Sequence, residues 1–457
     1  MREALAFFSA PLLWPQLTLA SGLLCCLASG MSRGVTGAAS RTLGVVSLLV
    51  ALWMLLFTGR GPGGPLVSLD GLGAAWQILF NVGALPVFLS LDEDDEVPAS
   101  LLLGVCLGAG LLAASASLLM VFIGLELLSL PAYLLVARLP SASAPPHEAS
   151  VKYFFSGALA SCLFLLGMAF HYASSGSLAL APAPGIMGAA GLALMGSAAL
   201  FKLGAAPFHF WLPDVYESSA PALAGFLSTS VKSAALFLLM RLASLGPDSA
   251  LSAALPWIGA LTALYGSLLA LRQVRLQRLF AYSSVSHAGI MVLGVGAWAA
   301  QGCDPAAAAP LFFYGLVYLC MSNGAFLFIR LSGLSQRGDA AGYGTMRAAP
   351  AALFAVLLLS LAGIPPTGGF LAKLLIFWEA VKAGLYLPVA VAALASLVGL
   401  GYYLGLIRDM YFDEPKWRSP ETETGAVPVL LWVCAAGAAL LGVLPWVLKS
   451  YLERLFL

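Results

Sequence analysis

Long apolar runs recur along the whole chain and are separated by short segments rich in glycine, proline and charged residues. Each run is about 20 residues long, which is the length an α-helix needs to cross a hydrocarbon core of roughly 30 Å. The pattern therefore predicts an all-α polytopic membrane protein with about 14 transmembrane helices. The predicted spans are 9–30, 42–59, 71–91, 98–116, 117–137, 150–173, 185–207, 218–243, 253–271, 277–298, 308–330, 349–382, 386–407 and 427–447.

Two of these regions contain residues that interrupt helices. Within 360–380, a Pro-Pro pair at Pro365 and a Gly-Gly pair precede Lys373, and the stretch 201–221 has three prolines, the first of them Pro207. Broken helices at membrane depth are found where the backbone lines a cavity or is buried in protein. A pair of them in the two halves of a chain favours inverted repeats with functional sites at the breaks. The spacing predicts two inverted five-helix repeats.

The repeats divide a single transmembrane domain that covers residues 1–457. Its predicted parts are three N-terminal helices (1–97), a first antiporter-like repeat (98–245), a second repeat (246–410) and a C-terminal helix (411–457). The apolar run near the start is long for a secretory signal, and its basic region consists of Arg2 alone, which favours a retained first helix.

Composition supports a membrane protein and excludes several other classes. Hydrophobic residues make up 61% of the chain and charged residues 9%, and the mean hydropathy of +0.94 lies far outside the range of soluble domains. A net charge of +1 argues against a nucleic-acid partner. The seven cysteines form no CxxC motif and no Cys/His cluster, so we expect no iron–sulfur centre, structural zinc or disulfide framework in this chain. The acidic run 92–96 is interpreted as a solvated loop.

The distribution of basic residues predicts how the chain crosses the membrane. Twelve lysines and arginines lie in the connections that follow odd-numbered spans, against six in the other connections and the tails. By the positive-inside rule the odd connections are cytoplasmic. Both termini are therefore expected on the outer, periplasmic side of a bacterial inner membrane.

A few ionisable residues lie within the spans, away from their ends: Glu126, Lys202, Lys232, His287 and Lys373. A charge at the bilayer centre costs at least about 2.5 to 3.5 kcal/mol, so such residues face protein or water and indicate function. Other interpretations remain for some of these residues. His287 is also compatible with a structural histidine bonded to a backbone carbonyl, and Glu126 with an ion pair that holds helices together. At the start of the sixth span, Lys152 is compatible with snorkelling to the interface.

These residue types suit proton transfer. A buried lysine holds or releases a proton according to whether a carboxylate is close to it. Moving one charge across 100 mV costs about 2.3 kcal/mol, a free energy within the range that burial and charge pairing supply. Histidines and lysines linked by water would provide the path, and helix breaks would admit that water.

Six motifs, in order, resemble the antiporter-like membrane subunits of respiratory complex I. They are GLELLSLPAYLLVA (124–137), EASVKYFFSGALAS (148–161), FKLGAAPFHFWLPDVY (201–216), STSVKSAALF (228–237), QRLFAYSSVSHAGIM (277–291) and SLAGIPPTGGFLAKL (360–374). The likeness covers about residues 98–412. The wider family includes subunits of multisubunit cation/proton antiporters and of membrane-bound hydrogenases.

The resemblance implies a role for each candidate residue and for the chain as a whole. Glu126 and Lys202 would form the carboxylate–lysine pair of a first half-channel, Lys232 the central bridge and Lys373 the terminal lysine of the second. His287 and Lys152 match positions on the family's polar axis. The chain would translocate protons beside other membrane subunits of an NADH:quinone oxidoreductase, while FMN, iron–sulfur clusters and quinone act in those other subunits.

Two departures from the family pattern and two alternative functions accompany this interpretation. Gln277 stands where a lysine is frequent, and Glu217-Ser218 stands where Gln-Gly is frequent. These positions lie near helix ends and leave the core lysines unaffected. A cation/proton antiporter or membrane-bound hydrogenase subunit, and a purely structural membrane subunit, are the alternatives.

Overall fold

The computed structural model describes residues 11–31, 37–91, 95, 97–141, 146–415 and 426–443. The predicted acidic loop lies outside these residues except for Asp95, which forms an ion pair with Arg138 at 2.7 Å. The chain is mostly helical. In the first half the helices are α1 (Trp14–Met31), α2 (Gly37–Phe57), α3 (Gly71–Val82), α4 (Leu85–Phe88), α5 (Val97–Ala113), α6 (Leu118–Arg138), α7 (Pro146–Ser175), α8 (Gly185–Leu203), α9 (Leu212–Ser218), α10 (Pro221–Phe226) and α11 (Lys232–Ser244).

A π-helical segment, Leu227–Val231, joins α10 to α11. The second half contains α12 (Ala250–Ala270), α13 (Leu276–Ala300), α14 (Ala309–Ser332), α15 (Tyr343–Met346), α16 (Ala348–Ala362), α17 (Gly368–Lys382), α18 (Tyr386–Phe412) and α19 (Ala426–Val443). Short 3-10 turns occupy Pro11–Leu13, Pro305–Ala308 and Arg337–Ala340. Two short strands, β1 (Gly61–Pro62) and β2 (Ser68–Leu69), pair antiparallel.

Within the described residues, eleven helical segments are long and apolar enough to cross a membrane, and α5 and α16 are shorter apolar helices. This is the architecture of a polytopic membrane protein, as the apolar pattern predicts. The continuous segment Pro221–Ser244 is buried throughout, and α13 and α14 are buried almost throughout. In contrast, only about a third of the residues in the apolar windows of α2, α7, α18 and α19 are buried. We call the three buried segments, Pro221–Ser244, α13 and α14, the central column.

Close helix contacts depend on small residues, as is usual where lipid is as apolar as the protein interior. The pair α12 and α13 illustrates this. A Cβ added to Gly259 would lie 2.4 Å from the backbone nitrogen of Leu293, and one added to Gly289 would lie 2.3 Å from that of Ala263. Larger residues would push α12 away from α13, which is one of the helices of the central column.

The boundaries differ from the sequence prediction mainly at the breaks. The predicted span 349–382 consists of two helices, α16 and α17, separated by residues 363–367. The predicted span 185–207 ends at Leu203, where Gly204 adopts a left-handed conformation with φ of 69°. Helical structure then resumes in α9. Both interruptions therefore occur in the regions where proline and glycine predict them.

Candidate functional site

Lys373 caps the helix that precedes the second break. Gly363, with φ of 82°, ends α16 and reverses the chain. The Nζ of Lys373 donates hydrogen bonds to the carbonyl oxygens of Leu361 at 2.8 Å and Ala362 at 3.0 Å. Carbonyls of a last helical turn lack intrahelical partners and carry the negative end of the helix dipole. The break thus provides a buried cation site made of backbone oxygens.

Two glycines allow the backbone to pass close to this lysine. A Cβ on Gly363 would lie 3.0 Å from Cδ and 3.2 Å from Nζ of Lys373. A Cβ on Gly369 would lie 1.8 Å from the carbonyl oxygen of Ser360, whose hydroxyl accepts a hydrogen bond from the Gly369 N–H at 3.1 Å. Gly363 and Gly369 are therefore required by close packing around the break.

Lys202, in the last turn of α8 before the first break, points into a group of aromatic side chains. Its Nζ donates to the hydroxyl of Tyr133 at 2.9 Å and lies 4.8 Å from the centre of that ring. The centre of the Tyr153 ring is 5.5 Å away. Tyr153 in turn stacks on Trp211 at 4.3 Å. Lys202 is buried, with a relative exposure of 3%, and the aromatic faces favour its charge.

Glu126, the predicted partner of Lys202, forms a hydrogen bond with Ser161 instead. The hydroxyl of Ser161 donates to Oε1 of Glu126. Glu126 and Lys202 both line one narrow cavity between α6, α7 and α8 that has no room for a water molecule. No ion pair within 4.0 Å joins these two described residues. The expected carboxylate–lysine pair is therefore brought to one cavity, with its two members separated.

Lys232 lies at the centre of the column, directly after the π-helical segment. It is 1% exposed. Its Nζ donates to the hydroxyl of Ser284 at 2.7 Å and to the carbonyl oxygen of the same residue at 2.8 Å. Ser284 belongs to α13, so Lys232 connects the buried helix of the first half with the second half.

His287, three residues after Ser284 on α13, has a hydroxyl partner for each ring nitrogen. Nδ1 is 2.7 Å from the hydroxyl of Tyr314, and Nε2 is 3.4 Å from that of Tyr403. Tyr403 also forms a hydrogen bond with Ser283. An imidazole between two hydroxyl groups can accept a proton on one side and donate on the other. Both partners of His287 are therefore side-chain hydroxyls. A structural histidine bonded to a backbone carbonyl, the alternative considered from the sequence, does not match these contacts.

Lys152 lies apart from the buried lysines, in an exposed part of α7. Its Nζ contacts Glu148 at 2.7 Å and Asp214 at 3.0 Å. Burial alone would raise the pKa of Asp214, but hydrogen bonds from Lys152 and Arg278 hold it below the usual value. This stabilisation is present at neutral pH and is lost as the pH falls through the lowered pKa. The position matches the snorkelling interpretation of Lys152.

The two departures from the family pattern meet at the same place. Glu217, which is 5% exposed, accepts hydrogen bonds from Arg275 and, at 2.7 Å, from Arg278. The side-chain amide of Gln277 donates to the carbonyl oxygens of Tyr216 at 2.8 Å and Ser219 at 2.9 Å. Together these contacts fasten α9, the short helix after the first break, to the start of α13.

We expect Glu217→Gln to loosen this attachment. A hydrogen bond to a charged group contributes about 1.5 to 3 kcal/mol, and the partial exposure of both arginines reduces this to about 1 to 2 kcal/mol. The apparent Tm of the purified protein in detergent should fall accordingly. Glu148→Gln is the control, because Glu148 is 67% exposed and contributes little. Equal Tm values for both variants would show that the hydrogen bonds of Glu217 do not stabilise the contact between α9 and α13.

The sequence and fold of this chain match those of known proteins. The family described as "NADH:quinone oxidoreductase/Mrp antiporter, TM" matches residues 115–399. NADH-quinone oxidoreductase subunit N of Desulfovibrio desulfuricans is 34% identical, over 90% of this chain and 89% of the relative. The corresponding subunit N of Thiobacillus denitrificans is 38% identical, over 74% of this chain and 72% of the relative.

The chain belongs to this antiporter family. The predicted resemblance is thereby confirmed. Among solved structures, respiratory complex I from Thermus thermophilus with bound aureothin contains a chain of the same fold, with a TM-score of 0.85 and 33% identity over 96% of this chain and 99% of the other. A chain of the Mrp complex from a Dietzia species has a TM-score of 0.83 at 21% identity, over 98% of this chain and 97% of the other, which shows a shared fold alone.

The match to the antiporter family covers residues 115–399, and all six candidate residues, from Glu126 to Lys373, lie within this range. Their individual roles remain predictions. Within the described residues, no group of three or more histidine, cysteine or acidic side chains is arranged to hold a metal ion.

Sequence reasoning missed the hydroxyl partners of these residues. Tyr133, Tyr314, Tyr403 and Ser284 are all buried and contact a candidate residue directly. The feature of the sequence that could have indicated these partners is a hydroxyl-bearing residue within an apolar span. Tyr133, for example, follows Glu126 by seven residues, which places both on one face of α6.

Proposed function

We propose that this chain is the proton-translocating membrane subunit of an NADH:quinone oxidoreductase, and that it moves protons along Lys202, Lys232, His287 and Lys373. The observation that carries the proposal is the environment of the three lysines. Each is buried, and the hydrogen-bond partners of each ammonium are neutral oxygens: a tyrosine hydroxyl, a serine and helix-terminal carbonyls. Neutral partners let a lysine give up its proton without leaving a buried anion behind.

The proposed path begins at Glu126 and Lys202. When Lys202 is next to Glu126 the carboxylate favours its charged form, and when the two separate this support is lost. The proton then passes by way of intervening water to Lys232, from there to His287, and finally to Lys373. Ser284 and the tyrosines beside His287 supply oxygens between these groups. One proton moves in each transfer, and no electron transfer takes place within this chain.

The architecture proposed for this path has 14 spans and two inverted five-helix repeats, 98–245 and 246–410, between the helices of 1–97 and that of 411–457. Both termini lie on the outer side of the bacterial inner membrane. The presence of a left-handed glycine at the start of each break, Gly204 and Gly363, supports the repeat relationship.

Partners supply the redox chemistry in this proposal. The relatives named above are subunits of NADH-quinone oxidoreductases, and the chain of similar fold from Thermus is part of respiratory complex I. Neighbouring antiporter-like and small membrane subunits would flank this chain, while FMN, iron–sulfur clusters and quinone would be bound elsewhere in the complex. The chain itself would contain no redox centre.

A Glu126→Gln variant tests the proposal. The change removes the charge that attracts Lys202 and preserves the shape of the side chain. We expect the rate of NADH-driven proton pumping in membrane vesicles to fall several-fold, because positioned proton-transfer groups contribute about 10²- to 10⁴-fold to the rates of proton-transfer steps and water replaces them only in part. Glu379→Gln is the matched control, since Glu379 pairs with the half-exposed Lys382 at 2.7 Å.

Three results would argue against the proposal, two of them from this variant and one from a separate exchange assay on the native protein. Unchanged proton stoichiometry and turnover in Glu126→Gln would exclude the carboxylate from the path. Sodium-dependent exchange in vesicles without NADH oxidation would favour a cation/proton antiporter. Loss of assembly with normal pumping per electron in the remaining complex would favour a structural subunit.

A further inference from the structure

Lys202 and Glu126 are each held by a hydroxyl group in the present structure. Tyr133 accepts a hydrogen bond from the Nζ of Lys202 at 2.9 Å, while Ser161 donates one to Glu126. Both members of the expected ion pair therefore have other partners at the same time. In this structure Glu126 and Lys202 are not paired with each other, and their hydrogen-bond partners are Ser161 and Tyr133.

Glu126 and Tyr133 offer Lys202 two alternative positions on one helix. They are seven residues apart on α6, so they lie on the same face and are separated by about 10 Å along its axis. The cavity lined by Glu126 and Lys202 is too narrow for a water molecule. A change of partner therefore requires the lysine side chain itself to move, or the cavity to widen.

The Tyr133 hydroxyl occupies a closely fitted position. A Cβ on Gly157 of α7 would lie 1.8 Å from this hydroxyl oxygen. The Tyr133 ring packs edge-on against Tyr153 with a centroid distance of 4.5 Å. Gly157 thus leaves room for the hydroxyl, and Tyr153 fixes the ring. The adjacent hydroxyl of Tyr153 is buried and has no hydrogen-bond partner among the described residues.

We propose that Tyr133 is a positioning residue that holds Lys202 away from Glu126 during part of the cycle. The inference rests on the proposed function and extends it. Tyr133 does not itself carry the translocated proton. By accepting a hydrogen bond from the ammonium it offers Lys202 a second place to reside, in which the lysine can release its proton toward Lys232.

The test compares Tyr133→Phe with Tyr153→Phe in the intact complex. Tyr133→Phe keeps the aromatic face and removes the acceptor, so Lys202 should remain beside Glu126 for longer. We expect coupled pumping to fall about three- to tenfold, which corresponds to about 0.7 to 1.4 kcal/mol, the net contribution of one ordinary hydrogen bond. Its pH profile should move to higher pH, because a proton held beside Glu126 leaves less readily. Tyr153→Phe keeps the ring that faces Lys202 and removes a hydroxyl with no hydrogen-bond partner among the described residues, so it should change the rate and profile less than Tyr133→Phe does.

A second variant and a double variant keep the inference testable if Tyr133→Phe assembles poorly. Gly157→Ala should displace the Tyr133 hydroxyl without altering either ionisable residue, and should shift the profile in the same direction. In Glu126→Gln/Tyr133→Phe the shift should disappear, because no carboxylate remains to retain Lys202. A purely structural role for Tyr133 would preserve its effect in the double variant.

The results separate this inference from the proposed function. If Glu126→Gln impairs pumping while Tyr133→Phe and Gly157→Ala match Tyr153→Phe in rate and pH profile, the positioning role of Tyr133 is overturned and the path stands. If Glu126→Gln pumps normally, the proposed path fails irrespective of Tyr133.

Discussion

Lys232→Met is expected to lower NADH-driven proton pumping at least about tenfold, in proportion to the loss of a positioned proton-transfer group. Methionine has a similar length and an apolar end, so packing in the buried helix should be largely retained. The variant leaves Ser284 without the ammonium that contacts both its hydroxyl and its carbonyl oxygen. The connection between the first half of the central column and α13 would then be missing.

The measurement for Lys232 is proton uptake per electron in reconstituted vesicles, together with NADH:quinone turnover. Lys382→Met is the control, since this lysine is half exposed at the end of α17. Native stoichiometry in Lys232→Met would remove Lys232 from the path. A small effect in Lys382→Met would show that loss of a lysine charge alone does not impair pumping.

Lys373→Ala is expected to have a comparable effect at the other end of the path. The substitution removes the ammonium that caps α16 and leaves the carbonyls of Leu361 and Ala362 unpaired. Two consequences should follow: pumping falls at least about tenfold, and the break loses the hydrogen bonds of a charged group, about 1.5 to 3 kcal/mol each. Proton stoichiometry and apparent Tm should therefore both decrease.

Full proton stoichiometry with normal turnover in Lys373→Ala would exclude this lysine from proton transfer. A lower Tm with an unchanged number of protons per electron would show that Lys373 only caps α16 and does not transfer protons. Lys373→Arg helps to separate the two effects. Arginine can cap the helix carbonyls, but it keeps its proton under all ordinary conditions, so it should restore Tm more than pumping.

Sequence patterns predicted the features that depend on local chemistry. Apolar runs indicated the spans, and the Pro-Pro and Gly-Gly pairs indicated the break before Lys373, because proline and glycine act on the backbone at their own positions. The lysines themselves were recognisable because an ionisable residue within an apolar run carries a large desolvation cost. These inferences need no knowledge of which helices are neighbours.

Contacts between distant segments were beyond the sequence. Tyr133 and Lys202 are 69 residues apart, and His287 and Tyr403 are 116 apart. Neither pair is marked by spacing or periodicity, since both depend on how helices pack. The separation of Glu126 from Lys202 was missed for a related reason. Opposite charges predict attraction, whereas the observed partners are neutral hydroxyls supplied by other helices.

The π-helical segment Leu227–Val231 has a consequence for how this site can change over evolutionary time. A π turn accommodates one residue more than an α turn, and each residue of an α-helix advances the chain by about 100° around the axis. Lys232 begins the α-helix that follows this segment. Its direction toward Ser284 therefore depends on a single residue's worth of winding in the preceding turn. Insertion or deletion of one residue there would re-aim the central lysine without altering any charged side chain, so drift in chain length is as consequential at this point as drift in residue type.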